Sequence, residues 1–124
     1  MDKTNIPFFT AVEPVEFSWP ISLPVPGDGK YSYVEVTGVF KWMPKADAEA
    51  LTKEPDPVTG QRRTDLEIAQ RVLLRIVGMK YADDTEVPSS PELVAAFLGS
   101  NNAPIVTIGT WMGALQGLAR EKNS

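Results

Sequence analysis

Asp83 and Asp84 stand side by side in this chain, and Asp56 sits in a proline- and glycine-bearing loop, Glu54 to Gln61. Carboxylates are the first groups to consider for acid–base or cation chemistry, but here they lack the partners such chemistry needs. The chain has no histidine and no cysteine, which removes histidine-based triads, thiol nucleophiles and the usual zinc sites. The spacing around Asp56 does not match a calcium-binding EF-hand loop, so Asp56 reads as part of a solvated loop and Asp83-Asp84 as turn-forming. Two carboxylates alone can cleave a glycosidic bond, but only across a substrate cleft. There is no Walker or dinucleotide glycine motif, and Pro26-Gly27-Asp28-Gly29 is accounted for by a turn. The expectation is a protein that is not an enzyme and uses no metal or cofactor.

Arg62, Arg63, Arg71 and Arg75 concentrate positive charge. They read as a solvated outer face or, more pointedly, as a site for an acidic partner. The net charge is −4 and the charges are spread along the chain, against the concentrated basic patch of a nucleic-acid binder. No apolar run approaches the ~18 residues of a membrane span, and no signal-peptide core is evident. The absence of cysteine agrees with a reducing compartment.

The elements that must position these groups are organised around Val15 to Trp42. In the first ribbon Val15, Phe17, Trp19, Ile21, Leu23 and Val25 alternate with Glu16, Ser18, Pro20, Ser22 and Pro24. Period-two alternation marks a half-buried strand. In the second ribbon Val34, Val36, Phe40 and Trp42 fall on even positions, with Gly38 between. A two-residue turn at Asp28-Gly29 reconciles the parities. It pairs Leu23 with Val34, Ile21 with Val36, Trp19 with Gly38, Phe17 with Phe40 and Val15 with Trp42, all on one face. Glu16 then meets Lys41 on the other. Pro14, Pro20, Pro24 and Pro26 fall where an N–H would point away from the partner strand. The first strand is therefore a blocked outer edge, and the far side of the second is open to a third strand or another subunit.

The expected fold is α+β in a single domain of 124 residues. A hairpin (about 14–25 and 30–42, within a unit 14–43) packs against a helical part (44–120) of short helices at about 45–53, 64–77, 90–98 and 103–120. Residues 121–124 form a tail. Residues 1–13 read either as a short extra strand around Ile6-Pro7-Phe8-Phe9 or as an arm that docks on a neighbour. Thr64 and Glu67 make a capping box, and Leu66, Ala69, Leu73, Ile76 and Val77 form an apolar stripe widened by Val72. Ser89 or Ser90 caps the third helix, with Pro91 in its first turn and Gly99 closing it. In the last helix Ile105, Ile108, Met112, Leu115 and Ala119 make the apolar line. Gly109, Gly113 and Gly117 recur every fourth residue, at up to ~1 kcal/mol each relative to alanine. Close approach of another element, within the subunit or between subunits, would compensate. Trp111 lies off the apolar line and is a candidate interface residue. The open second-strand edge, with Tyr33 and Val39, and the arginines Arg71 and Arg75 complete the candidate partner-binding set.

The ordered set of Val72-Leu73-Leu74, Val77-Gly78, Asp83-Asp84, Val87-Pro88-Ser89-Ser90-Pro91-Glu92-Leu93 and Ala114 to Asn123 resembles the tail assembly chaperones of long-tailed bacteriophages and prophages. Those proteins likewise start with a proline-flanked hairpin, and the likeness covers residues 12–123. It departs at Arg75-Ile76-Val77-Gly78, where a tryptophan beside the glycine would be expected. The resemblance implies a non-enzymatic protein that binds the tape-measure protein, and often the tail-tube protein, during assembly. It also implies self-association, action in the host cytoplasm and absence from the finished virion. Such proteins are often made in two lengths by ribosomal frameshifting. Glu121-Lys122-Asn123 can be encoded GAA AAA AAC, which contains a slippery heptamer. The competing class is a structural tail or head-completion protein, which would be present in purified particles. A small hydrolase, the third, would need a deep polar cleft.

Overall fold

A computed structural model of the chain describes residues 15–117. Two long strands, β1 (Glu16–Gly27) and β2 (Lys30–Lys41), form an antiparallel hairpin. The turn is Asp28-Gly29, with φ of 51° and 76°, the double left-handed geometry that suits a twisted hairpin. The register is the one the alternation predicts: Leu23 faces Val34, Ile21 faces Val36, Trp19 faces Gly38 and Phe17 faces Phe40. The Trp42 N–H donates to the Val15 carbonyl at 3.1 Å, which continues the pairing one step beyond the strands. The Phe17 and Phe40 rings stack with centroids 5.7 Å apart.

Helix α1 (Lys45–Lys53) follows, then α2 (Asp65–Val72), β3 (Leu73–Val77), α3 (Pro91–Leu98) and α4 (Ala103–Gln116). The sheet has three strands in the order β1-β2-β3, and the architecture is α+β. One core joins the helices to the inner face of the sheet. Ile21, Leu23, Val36 and Phe40 meet Ile68, Val72, Leu73, Ile76, Phe97, Leu98 and Trp111.

Residues 64–77 are not one helix. The capping box is present, with the Thr64 hydroxyl accepting from the Glu67 N–H and the Glu67 carboxylate accepting from the Thr64 N–H. The helix nevertheless stops at Val72, and Leu73 to Val77 pair with β2, Val77 opposite Thr37 and Arg75 opposite Val39. The physical reason lies in the open edge of β2. Buried peptide groups must find partners, and a strand supplies them where a continued helix would not. Of the expected apolar stripe, Ala69, Val72, Leu73 and Ile76 are buried and Val77 is half-buried, while Leu66 is exposed and Ile68 is buried in its place. Gly78 turns the chain off the sheet with φ of 80°.

The N-cap of α3 agrees with the sequence. The Ser90 hydroxyl accepts from the Leu93 N–H at 3.1 Å, with Pro91 at the first position. Helix α4 closes on Gly117 in the left-handed conformation. The helix therefore stops short of the expected residue 120, because a left-handed residue cannot continue the helical hydrogen-bond ladder; residues 118–124 and the arm at 1–13 lie outside the described residues.

Candidate interaction surface

Helix α4 carries no charged residue, and its phase is set by packing. Ala103, Thr107 and Trp111 point inward, at successive helical turns. The Trp111 indole N–H donates to the Lys41 carbonyl at 2.8 Å. Trp111 is fully buried. This corrects the expectation that it lies at an interface. The predicted apolar line is likewise displaced, and Ile105 is 63 % exposed.

With that face turned inward, Met112 and Leu115 flank the base of the sheet. There β2 has ended, Pro44 precedes α1 in extended conformation, and Trp42 and Met43 are half-buried. Together Trp42, Met43, Ala48, Met112 and Leu115 line a groove of about 560 Å³ between α1 and the end of α4. On the other side of Trp42 a smaller cleft of about 270 Å³ runs past Phe17, Trp19 and Leu115. The charged groups at the rim of the larger groove, Lys45 and Glu49, lie 3.8 Å apart and face each other. The lining is mixed, with two thioethers and an indole on one side and Lys45, Glu49 and Gln116 on the other, which suits an amphipathic helix.

The residues singled out from sequence do not converge here. Tyr33 is 66 % exposed on the free part of β2. Val39 is only 6 % exposed, a second correction. The register sets it between Ser18 and Arg75, and an ion pair between Arg75 and Glu16 bridges the strands on either side. Glu16 thus closes on Arg75, although Lys41 is its backbone partner as expected. Tyr33 and Arg75 are separated by six β2 residues, roughly 20 Å of strand, so they form no common patch.

Arg63, Arg71 and Arg75 are engaged within the chain. Arg63 donates to the carbonyls of Leu51 and Glu54 at 3.2 and 3.1 Å, where the end of α1 leaves carbonyls unpaired. Its Nε lies 3.7 Å from the Asp56 carboxylate, and Arg71 is 3.4 Å from the same group. Asp56 also accepts from the N–H groups of Val58 and Thr59. The Val58 N–H, helped by Thr59, Arg63 and Arg71, holds its carboxyl below the usual range. Asp83 is held low in the same way by the Thr85 hydroxyl and N–H. Both carboxylates organise loops, and Asp84 follows in left-handed conformation with φ of 73°.

The sequence reading missed the groove. The alternation places Trp42 on the inner face of the hairpin, and nothing local shows that α4 brings Met112 and Leu115 beside it. Among the described residues no single helix is long and apolar enough to cross a membrane. No family model, curated protein or solved structure matches the chain.

Proposed function

We propose that this chain is a non-enzymatic tail assembly chaperone of a long-tailed bacteriophage or prophage. It holds apolar helical stretches of the tape-measure protein, and segments of the tail-tube protein, during assembly in the host cytoplasm, and leaves before the virion is complete. The observation that carries the reading is the groove of Trp42, Met43, Met112 and Leu115. The sequence resemblance supplies the identity of the partner. A long helical protein with apolar faces aggregates alone, and a chaperone needs a soft amphipathic trough of modest affinity so that tube subunits can displace it. Methionine serves such a trough because its flexible, polarizable side chain repacks against different partners.

Co-expression with the neighbouring tape-measure gene tests this reading. The long protein is expected to become soluble and to co-purify with the wild-type chain. Leu115→Asp, with an unchanged circular dichroism spectrum, is expected to abolish co-purification. Equal insolubility with and without this chain sinks the proposal. The frameshift at Glu121-Lys122-Asn123, which lies outside the described residues, is tested by reading the gene. A non-slippery spelling with no overlapping downstream frame removes it.

A further inference from the structure

The third strand covers only part of the edge that β2 presents. Its pairs run from Leu73 opposite Phe40 to Val77 opposite Thr37, and Gly78 then turns the chain away. From Lys30 to Val36 the outer side of β2 has no strand beside it among the described residues. Antiparallel pairs alternate between hydrogen-bonded and non-hydrogen-bonded. Counting from the bond between Trp42 and Val15, the peptide groups of Tyr31, Tyr33 and Glu35 point outward. The same count shows why β1 offers no such edge. Its outward positions include Pro20, Pro24 and Pro26, which have no N–H to give.

We infer that the segment Lys30–Val36 pairs with the same segment of a second copy, antiparallel and across a two-fold axis at Tyr33. Three observations select this occupant. First, the window is bounded by the Asp28-Gly29 turn at one end and by β3 at the other. An antiparallel copy centred on Tyr33 fits between those limits and meets the same limits reversed. Second, only this register engages all three outward residues: Tyr33 faces its own copy and Tyr31 faces Glu35, for about six backbone hydrogen bonds. Centring one residue earlier sets Glu35 against the turn, and one residue later sets Tyr31 against Thr37, which β3 already holds. Third, the charges are compatible. Lys30 faces Val36 and Glu35 faces Tyr31, so no like charges are opposed in a chain whose net charge is −4. The proline-blocked β1 edge prevents head-to-tail stacking through β1, so the assembly closes at two copies with one continuous six-stranded sheet. Tyr31 and Tyr33, 63 % and 66 % exposed, lie side by side across the seam. The inference stands independently of what the Trp42–Met112 groove holds.

The test is sedimentation of the full chain combined with single-cysteine cross-linking, which the cysteine-free sequence permits. The wild type is expected to be a dimer. Tyr33→Pro is expected to be a monomer with unchanged circular dichroism, because Tyr33 faces Pro24 at a non-hydrogen-bonded position of the hairpin and loses only an outward N–H. Under oxidation Tyr33→Cys is expected to cross-link to itself. Tyr31→Cys alone is not, since its copies lie roughly 13 Å apart along the seam, but an equimolar mixture of Tyr31→Cys with Glu35→Cys is. A wild-type monomer at high micromolar concentration overturns the inference. So does a dimer that persists in Tyr33→Pro, or one in which the cysteine variants fail to follow this register.

Discussion

The indole N–H of Trp111 donates to the carbonyl of Lys41 at 2.8 Å, and this bond fixes where α4 sits on the sheet. Lys41 faces Glu16 at a non-hydrogen-bonded pair, so its carbonyl points away from β1. The β-bulge between Val39 and Phe40 has by then disturbed the ladder to β3. Trp111 therefore satisfies an acceptor that no strand reaches, at the base of the groove that Met112 and Leu115 form. Trp111→Phe keeps an aromatic ring but leaves that carbonyl unpaired and a gap beside it. The expected loss is about 2–4 kcal/mol of stability, read as a lower urea midpoint.

Gly38 lies in the middle of β2 opposite Trp19, directly beneath the core. A Cβ there would come within 2.8 Å of Ile21 Cδ1, 2.9 Å of Phe40 Cε2 and 3.0 Å of Leu73 Cδ1. All three belong to buried side chains with no free space to retreat into. Gly38→Ala is expected to destabilise by about 1–3 kcal/mol, even though alanine restricts the unfolded chain more than glycine does. Equilibrium denaturation should show a lower midpoint with an unchanged slope. An unshifted midpoint would mean that the sheet relaxes around the methyl group.

Gly38 also illustrates what the sequence reveals. Strict alternation on both sides of an Asp-Gly turn dictates the whole hairpin register, because a one-residue slip would turn every apolar side chain outward. Local capping chemistry marks the starts of α2 and α3 for the same reason, since each signal is completed within a few residues. The rest depends on contacts between distant segments. Leu73 to Val77 has a pattern compatible with a helix, and only the neighbouring open edge of β2 makes it a strand. Helix α4 has apolar residues on every side, so the line through Ile105, Ile108, Met112 and Leu115 does not mark the inward face: Ile105 is exposed, and Trp111, off that line, is buried. The spacing of Gly109 and Gly113 suggests a close neighbour, yet the space beside each is open within the described residues. Gly117 is explained by its left-handed cap. The groove unites residues about seventy positions apart, from Trp42 to Met112, and no local signal connects them.

Thr107 presents the opposite problem to Trp111. It is fully buried on the inward face of α4, and its hydroxyl has no hydrogen-bond partner. An unpaired buried hydroxyl loses its hydration without compensation. Thr107→Val retains the branched shape and removes the polar atom. It is expected to raise stability by about 1 kcal/mol, measured as a higher thermal midpoint. Thr107→Ser, which keeps the hydroxyl and removes a methyl group, is expected to lower it. A valine variant less stable than wild type would show that the hydroxyl is satisfied in solution.

Asp56 makes acid sensitivity predictable in sign. The Val58 N–H is the largest influence on its carboxyl, and with Thr59, Arg63 and Arg71 it lowers the pKa from the ordinary 3.8. In the unfolded chain those partners disperse, so between the two pKa values the unfolded state binds more protons. Stability then rises with pH in that window. The contribution of Asp56 is complete above the ordinary value and is lost as pH falls through the depressed one, below about pH 4. Asp56→Asn removes this group from the titration. The variant is expected to be less stable than wild type at neutral pH and to converge toward it at strongly acidic pH. Asp83 remains to give the variant a residual slope of the same sign. Urea midpoints recorded across the acid range check this directly. Parallel curves for the two proteins would show that the loop carboxylate is not linked to folding.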